Sequence, residues 1–101
     1  MSYEMLVGLN VLNDLTYNDY REAMKPILFD YEGRFGYDFV ISDVLISEIH
    51  ADINRLFTIN FASKEKMKSF FSDPHYLAVK EKYFVESVGS TTIISSYEKN
   101  T

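Results

Sequence analysis

Residues 54–76 constrain the fold more strongly than any other part of the chain. The first eight of them alternate in polarity, as a strand with one buried face does. Ser63 then stands at a helix N-cap, and apolar residues follow it at helical spacing. Asp73-Pro74 restarts the helix, because aspartate caps well and proline fits the first helical position. A strand that feeds a helix packed back on its sheet is half of a two-layer α+β domain.

The part of the chain before this stretch predicts one strand and one helix. Residues 3–12 alternate with period two and predict the first strand. Thr16 is the predicted N-cap of a helix that kinks at Pro26 and ends at a left-handed cap on Gly33. The apolar stripe of this helix consists of Tyr17, Tyr20, Met24, Leu28 and Tyr31.

Three further strands complete the pattern. Residues 35–49 predict one long strand with a bulge near Ser42-Asp43, where the apolar residues switch from odd to even positions. A turn at residues 50–52 predicts a hairpin with the strand at 54–61, and residues 90–97 predict the last strand. The order β-α-β-β-α-β indicates one ferredoxin-like α+β domain over residues 1–101. Such a domain has a four-stranded antiparallel sheet with its helices on one face.

Composition and charge exclude several classes of function. The net charge of −5 argues against nucleic acid, whose phosphates favour clustered lysine and arginine. Cysteine is absent, and the two histidines lack metal-ligand spacing, so we predict no metal and no cofactor. Glu4 and Asn10 interrupt the apolar N-terminal run, which has no basic start. We therefore expect neither a signal peptide nor a membrane span, but a soluble cytoplasmic protein.

Both faces of the predicted sheet carry apolar residues. Two helices cover only one face, so a solitary domain should be polar on the other. Here the second face has apolar residues on several strands, among them Leu6, Leu12 and Leu56, and the last strand has the two consecutive apolar residues Ile93 and Ile94. A patch of this kind exceeds what soluble monomers usually expose, and a twofold homodimer would cover it. The alternative is that terminal residues fold over the face.

The chain also resembles a known family in several segments that occur in the right order. These segments are Tyr17-x-x-Tyr20 with Pro26, residues 31–35, residues 54–61 and residues 70–76. They resemble the family known as domain of unknown function 1330, within the dimeric α/β-barrel superfamily. The resemblance implies a dimeric α/β barrel but no particular reaction. Relatives in the superfamily include cofactor-free oxygenases of aromatic polyketides, haem-degrading enzymes and lactone isomerases, so the fold alone does not decide the function.

Three charged or titratable residues are the leading candidates for chemistry. Arg34 follows the first helix and Arg55 opens the third strand, and either could hold a carboxylate or enolate by a bidentate hydrogen bond. The alternative for each arginine is an ion pair with one of the many acids. His75 lies in the first turn of a helix, where the dipole favours neutral imidazole and a role as general base. The alternative is an exposed histidine without a function.

Five further residues are candidates for ligand binding in a pocket between sheet and helices. Tyrosines 20, 37 and 76 could orient a polar ligand, although tyrosine on an apolar stripe is commonly part of the core. Asp38 and Asn60 lie on strands, and their exposure decides their role. The full set is Arg34, Tyr20, Tyr37, Asp38, Asn60 and Tyr76 for ligand binding, with His75 and Arg55 for catalysis.

Two functions remain open at this point. The first is a cofactor-free enzyme that acts on a small aromatic or enolisable acid, with an arginine holding the anion and His75 or a tyrosine moving the proton. The second is a non-catalytic homodimer that binds a small ligand or a protein. Arginine and histidine converging on an enclosed pocket favour the first, whereas a filled core and paired arginines favour the second.

Overall fold

The structure is a computed structural model that describes residues 1–100. Its strands are β1 (Ser2–Val11), β2 (Arg34–Val40), β3 (Arg55–Phe61) and β4 (Val88–Lys99). The helices are α1 (Asp14–Asp30), α2 (Lys64–Ser72) and α3 (Pro74–Val79), which continues through a π-helical turn (Lys80–Phe84) into the short α4 (Val85–Ser87). This order confirms the predicted β-α-β-β-α-β pattern.

The four strands form one antiparallel sheet in the order β2-β3-β1-β4. Alternate residues of β1 and β3 point to the helices and are buried there, namely Met5, Val7, Leu9, Val11, Phe57, Ile59 and Phe61. The stripe of α1 covers them, and Phe70 and Tyr76 from α2 and α3 complete the core. The predicted fold class is therefore confirmed: a four-stranded antiparallel sheet carries its helices on one face.

The predicted helix caps are confirmed in part. Ser63 and Asp73 cap α2 and α3, and their side chains accept bonds from backbone N–H groups. The N-cap of α1 is Asn13 rather than Thr16, whose backbone N–H donates to the Asn13 side chain. At the other end of α1 the left-handed residue is Glu32 (φ 56°) and not Gly33. Gly33 is needed for space, since a Cβ there would lie 2.3 Å from Cδ1 of Leu28.

The prediction of one long strand over residues 35–49 is wrong. β2 ends at Val40, which pairs with Arg55, the first residue of β3, so a longer β2 would have no partner. Residues 41–53 form an irregular loop that ends at Asn54. The Asn54 side chain accepts from the Val11 N–H and donates to the Val11 carbonyl, both at 2.8 Å, and so ties the loop to β1.

The bulge lies earlier than predicted, between Phe35 and Asp38. There the Tyr37 N–H donates to Oγ1 of Thr58 at 2.9 Å. The extra residue reverses the side on which the following residues lie. Phe35 and Asp38 pair with Ile59 and Phe57, both of which face the helices. Asp38 therefore faces the helices as well.

The face of the sheet away from the helices, called the outer face below, keeps an apolar area. Leu6 and Leu56 are half-buried there, and Ile53 from the 41–53 loop lies over Gly8. Phe39, opposite Leu56, remains 50% exposed, and Ile94 in β4 remains 49% exposed. The described chain ends are strands of the sheet and do not fold over this face.

Within residues 1–100, no helix combines the length and the apolar character needed to cross a bilayer. The cytoplasmic location predicted from the sequence stays a prediction.

Candidate ligand pocket

A cavity of about 560 Å³ lies between the sheet and the helices and is called the helix–sheet pocket below. Strands β1 and β3 form its floor, its walls come from α1, α2, α3 and the π-helical turn, and Thr91, Ile93 and Ser96 of β4 line its edge. Its remaining side chains are mostly aromatic or aliphatic, including Phe35, Phe57, Phe71, Phe84, Met24 and Met67. A cavity of this size and composition is typical of small-molecule sites.

Arg21 is the buried charge of this pocket. It lies on α1 and retains 9% of its surface. Its Nε–H donates to the Tyr17 hydroxyl at 2.7 Å, and its guanidinium carbon lies 3.9 Å from the centre of the Phe35 ring. The planar guanidinium thus stacks on an aromatic ring while its edges form hydrogen bonds. Arg21 is therefore held in one orientation at the pocket wall.

Asp38 joins Arg21 to Arg55. Both carboxylate oxygens of Asp38 accept from Arg55 at 2.8 Å, and Arg21 donates to the same oxygens at 3.2 and 3.5 Å. The hydrogen bonds from Arg55, followed by the charge of Arg21, lower the pKa of Asp38 against the opposing effect of burial. Two positive charges and one negative charge leave this group with a net charge of +1.

Two tyrosine hydroxyls meet at the pocket. Tyr20 on α1 and Tyr76 on α3 share a hydrogen bond of 2.9 Å between their hydroxyl oxygens. Both residues line the pocket and retain 5% and 3% of their surface. Burial raises the pKa of both phenols, so both are protonated at neutral pH. They are hydrogen-bonding groups in a largely apolar cavity.

A smaller recess of about 250 Å³ opens on the other side of Arg55. It is lined by Val11, Asp14, Asn18, Val40, Asn54 and Arg55. The guanidinium carbon of Arg55 lies 5.3 Å from the centre of the Tyr17 ring, which lines the helix–sheet pocket. Arg55 and Tyr17 therefore stand between the two spaces.

The structure brings only part of the predicted site residues together. Tyr20 and Tyr76 line the helix–sheet pocket, while Asp38 and Arg55 lie beside it as an ion pair. This ion pair is the alternative considered for Arg55 from the sequence, because Asp38 occupies its bidentate fork. The ligand-binding roles of these residues stay predictions.

Four predicted residues lie away from the pocket. The His75 side chain is 89% exposed beside Asp73, and Tyr37 is 63% exposed. Arg34 pairs with Asn60 in the sheet, so both point to the outer face. No contact in the described chain brings His75 near an arginine, so the arginine–histidine convergence that would favour the enzyme hypothesis is not seen in residues 1–100.

Asn60 belongs to a buried polar cluster on the outer face. Its amide donates to Oε1 of Glu4 at 3.3 Å, and Tyr97 donates to Oε2 of Glu4 at 2.6 Å. Lys99 lies 3.4 Å from the same carboxylate. Burial alone would raise the pKa of Glu4, but the bonds from Tyr97 and Asn60 and the charge of Lys99 outweigh it and lower the pKa.

Arg21 and Tyr17 are the pocket residues that the sequence analysis missed as a functional pair. Tyr17 was predicted as part of the apolar stripe, and Arg21 was not considered. The sequence does indicate this pair, since the two residues stand at positions i and i+4 of one predicted helix and therefore share a face. The structure shows their side chains 2.7 Å apart on that face.

No protein-family model matches the chain, and no curated protein sequence matches it. Solved structures do match. A protein of unknown function from Rhodopseudomonas palustris superposes with a TM-score of 0.79 at 14% identity, over 99% of this chain and 83% of that one. A dabb family protein with a ferredoxin-like fold from Mesorhizobium loti gives 0.70 at 16% identity, over 99% and 98%. A dimeric protein of unknown function with a ferredoxin-like fold from Bacteroides fragilis gives 0.65 at 15% identity, over 97% and 96%.

The chain has the ferredoxin-like fold of these proteins. At such low identity the likeness concerns the fold alone, and it agrees with the element order and the sheet topology described above. The narrower resemblance to the domain of unknown function 1330 family is not confirmed, because no family model matches.

Proposed function

We propose that the protein is a homodimer that binds a small aromatic or enolisable acid in the helix–sheet pocket. The observation that carries this proposal is the combination of a largely aromatic cavity of about 560 Å³ with a buried arginine at its wall. Aromatic walls favour a flat apolar body. A buried guanidinium favours a carboxylate or an enolate.

The local charge supports an anionic ligand. The whole chain carries −5, yet the group of Arg21, Asp38 and Arg55 carries +1, and Lys80 also lines the pocket. Arg21 has five N–H donors, of which three are engaged by Tyr17 and Asp38. Its spare donors are the candidates for holding the acid group of a ligand.

A specific observation favours binding without catalysis over the enzyme hypothesis. Proton abstraction needs a group that accepts a proton at neutral pH. The lining side chains of the helix–sheet pocket in residues 1–100 include no histidine, aspartate or glutamate. The pocket tyrosines have raised pKa values, and His75 lies on the surface. Release of a chemically changed product from the pocket would restore the enzyme hypothesis.

Titration calorimetry of the full chain at pH 7 with benzoate and benzamide tests the acid preference. These probes have the same ring and differ in charge. We expect benzoate to bind roughly tenfold more tightly than benzamide, since a hydrogen bond to a charged group contributes about 1.5–3 kcal/mol. Arg21→Gln should remove this preference, whereas Lys25→Gln, one turn further on the exposed side of the same helix, should keep it.

A pocket-filling variant keeps the test meaningful if Arg21→Gln folds poorly. Ile93 lines the pocket edge but is 57% exposed, so Ile93→Trp should fill the cavity without disturbing the core. It should abolish binding of both probes. Equal affinity for benzoate and benzamide would contradict the acid preference, and unchanged binding to Ile93→Trp would place the ligand elsewhere.

The homodimer is supported by the outer face, where Phe39 and Ile94 remain half exposed around Leu6 and Leu56. Packing two such faces together removes the apolar area from water. The matched Bacteroides fragilis protein is described as dimeric, which is consistent with this arrangement.

Light scattering after gel filtration tests the assembly. We expect a mass of twice 11.8 kDa for the chain and of 11.8 kDa for Ile94→Asp, because a charge at a packed apolar face is costly. Leu77→Asp, at an exposed position on α3, should leave the mass unchanged. A single-chain mass at micromolar concentration would exclude the dimer.

A further inference from the structure

The bond between Tyr20 and Tyr76 leaves one donor unused. Two phenol groups carry two hydroxyl protons, and the shared bond of 2.9 Å uses one of them. In residues 1–100, neither hydroxyl has another hydrogen-bond partner. The oxygen that accepts the shared proton therefore still has its own proton to donate, and this proton lies among aromatic side chains.

The position of this pair limits where the proton can find an acceptor. Tyr20 is enclosed by rings, with the centre of Phe84 at 4.9 Å and that of Tyr17 at 5.7 Å. Tyr76 packs against Phe70 at 4.4 Å and Phe71 at 5.5 Å between ring centres. Rings offer only weak acceptors, so the donor needs an oxygen atom in the pocket, either from water or from a ligand that displaces this water.

We propose that the Tyr20–Tyr76 hydroxyl pair is a second anchor of the pocket, which selects an aromatic acid that carries an additional hydroxyl or carbonyl oxygen. This inference rests on the proposed function and specifies its ligand class. The buried guanidinium of Arg21 attracts the acid group, and the hydroxyl pair binds the second oxygen. A site built to pair a ligand oxygen rejects the analogue that lacks it, because its own donor then stays unsatisfied.

The same hydroxyl pair also connects α1 with α3, and a purely structural role would end there. The connection uses the shared proton only, so it predicts no preference between ligands. Ligand selectivity therefore separates the two roles, since a structural bond affects the affinity for every ligand alike.

The experiment measures that selectivity by titrating the full chain at pH 7 with benzoate and with each of its monohydroxy derivatives. The best hydroxybenzoate should bind about fivefold more tightly than benzoate, which is the effect expected of one neutral hydrogen bond. The double variant Tyr20→Phe with Tyr76→Phe should bring this ratio to about one while benzoate still binds, because either single variant leaves one hydroxyl with a free proton. Tyr83→Phe, at a half-buried tyrosine that does not line the pocket, should keep the ratio.

The outcomes distinguish this inference from the proposed function. Binding of benzoate with no gain for any hydroxybenzoate would overturn the second anchor and leave the aromatic-acid pocket standing. A gain that persists in the double variant Tyr20→Phe with Tyr76→Phe would also overturn it, because the second oxygen would then bind elsewhere. If neither benzoate nor its derivatives bind, the proposed function itself fails.

Discussion

Asp38→Asn is the most informative perturbation of the charged group beside the pocket. The substitution preserves the size of the side chain and removes the negative charge to which both Arg21 and Arg55 bind. The side chains of these arginines are 10% and 20% exposed, so water screens their positive charges only in part. Two like charges would then face one uncharged amide.

The expected loss of stability lies between two known limits. Breaking a fully buried ion pair costs about 3–5 kcal/mol, and removing an exposed pair costs about 0.2–1 kcal/mol. Asp38 retains 31% of its side-chain surface, which places it between these cases. We therefore expect the free energy of unfolding to fall by about 2 kcal/mol, and the Tm to fall by roughly 10 °C for a chain of this size.

The loss should depend on pH in a definite direction. The hydrogen bonds from Arg55 and the charge of Arg21 lower the pKa of Asp38 in the folded state. Its contribution is therefore present above the unfolded pKa of about 3.9 and is lost as the pH falls through the lower folded value. The difference between wild type and Asp38→Asn should be constant from about pH 7 to 5 and should shrink below about pH 4.

Urea unfolding followed by circular dichroism measures this difference, with all proteins at one concentration because the proposed dimer would make the apparent stability depend on concentration. Asp52→Asn is the matched control, since Asp52 lies exposed in the 41–53 loop and forms no ion pair within residues 1–100. A loss below about 0.5 kcal/mol at pH 7, or a loss that persists unchanged at pH 3, would refute the assignment of Asp38 as a stabilising carboxylate.

Two further perturbations test the scaffold. Phe70→Ala should lower the free energy of unfolding by about 3–5 kcal/mol, because this fully buried ring fills the space between α2, α3 and β3. The control Phe29→Ala removes a ring that is 80% exposed and should change the free energy of unfolding little. Asn54→Ala should cost about 2 kcal/mol and speed hydrogen exchange at Val11, because it leaves both backbone groups of Val11 without their side-chain partner. Calorimetry and amide exchange measure these effects.

Local patterns in the sequence were sufficient to predict most of the scaffold. Ser63 and Asp73 cap their helices as predicted, because a cap depends on a side chain and a backbone N–H two or three residues away. The alternation in residues 3–12 and 54–61 also predicted which residues of β1 and β3 face the core. The cap of α1 was misplaced by three residues, since Asn13 and Thr16 are both good caps.

The length of β2 could not be predicted in the same way. Its β-branched and aromatic residues continue beyond Val40, but a strand also needs a partner, and β3 begins at Arg55. The bulge between Phe35 and Asp38 depends on a bond to Thr58, which is distant in the sequence. Without this bulge, simple alternation places Asp38 on the wrong face.

The sequence alone determined the fold class, the two-layer arrangement and the apolar stripe that contains Tyr17 and Tyr20, because these follow from periodicity and local capping. Only the tertiary structure decided which polar groups meet at the pocket. Asp38 reaches Arg21 and Arg55 through a shift in strand register, and Tyr20 reaches Tyr76 across 56 residues of sequence. Such encounters depend on how helices and strands pack in space. Residues 54–76 show the difference. Their local pattern predicted a strand and two helices, whereas packing brought Tyr76 to the pocket and left His75 on the surface.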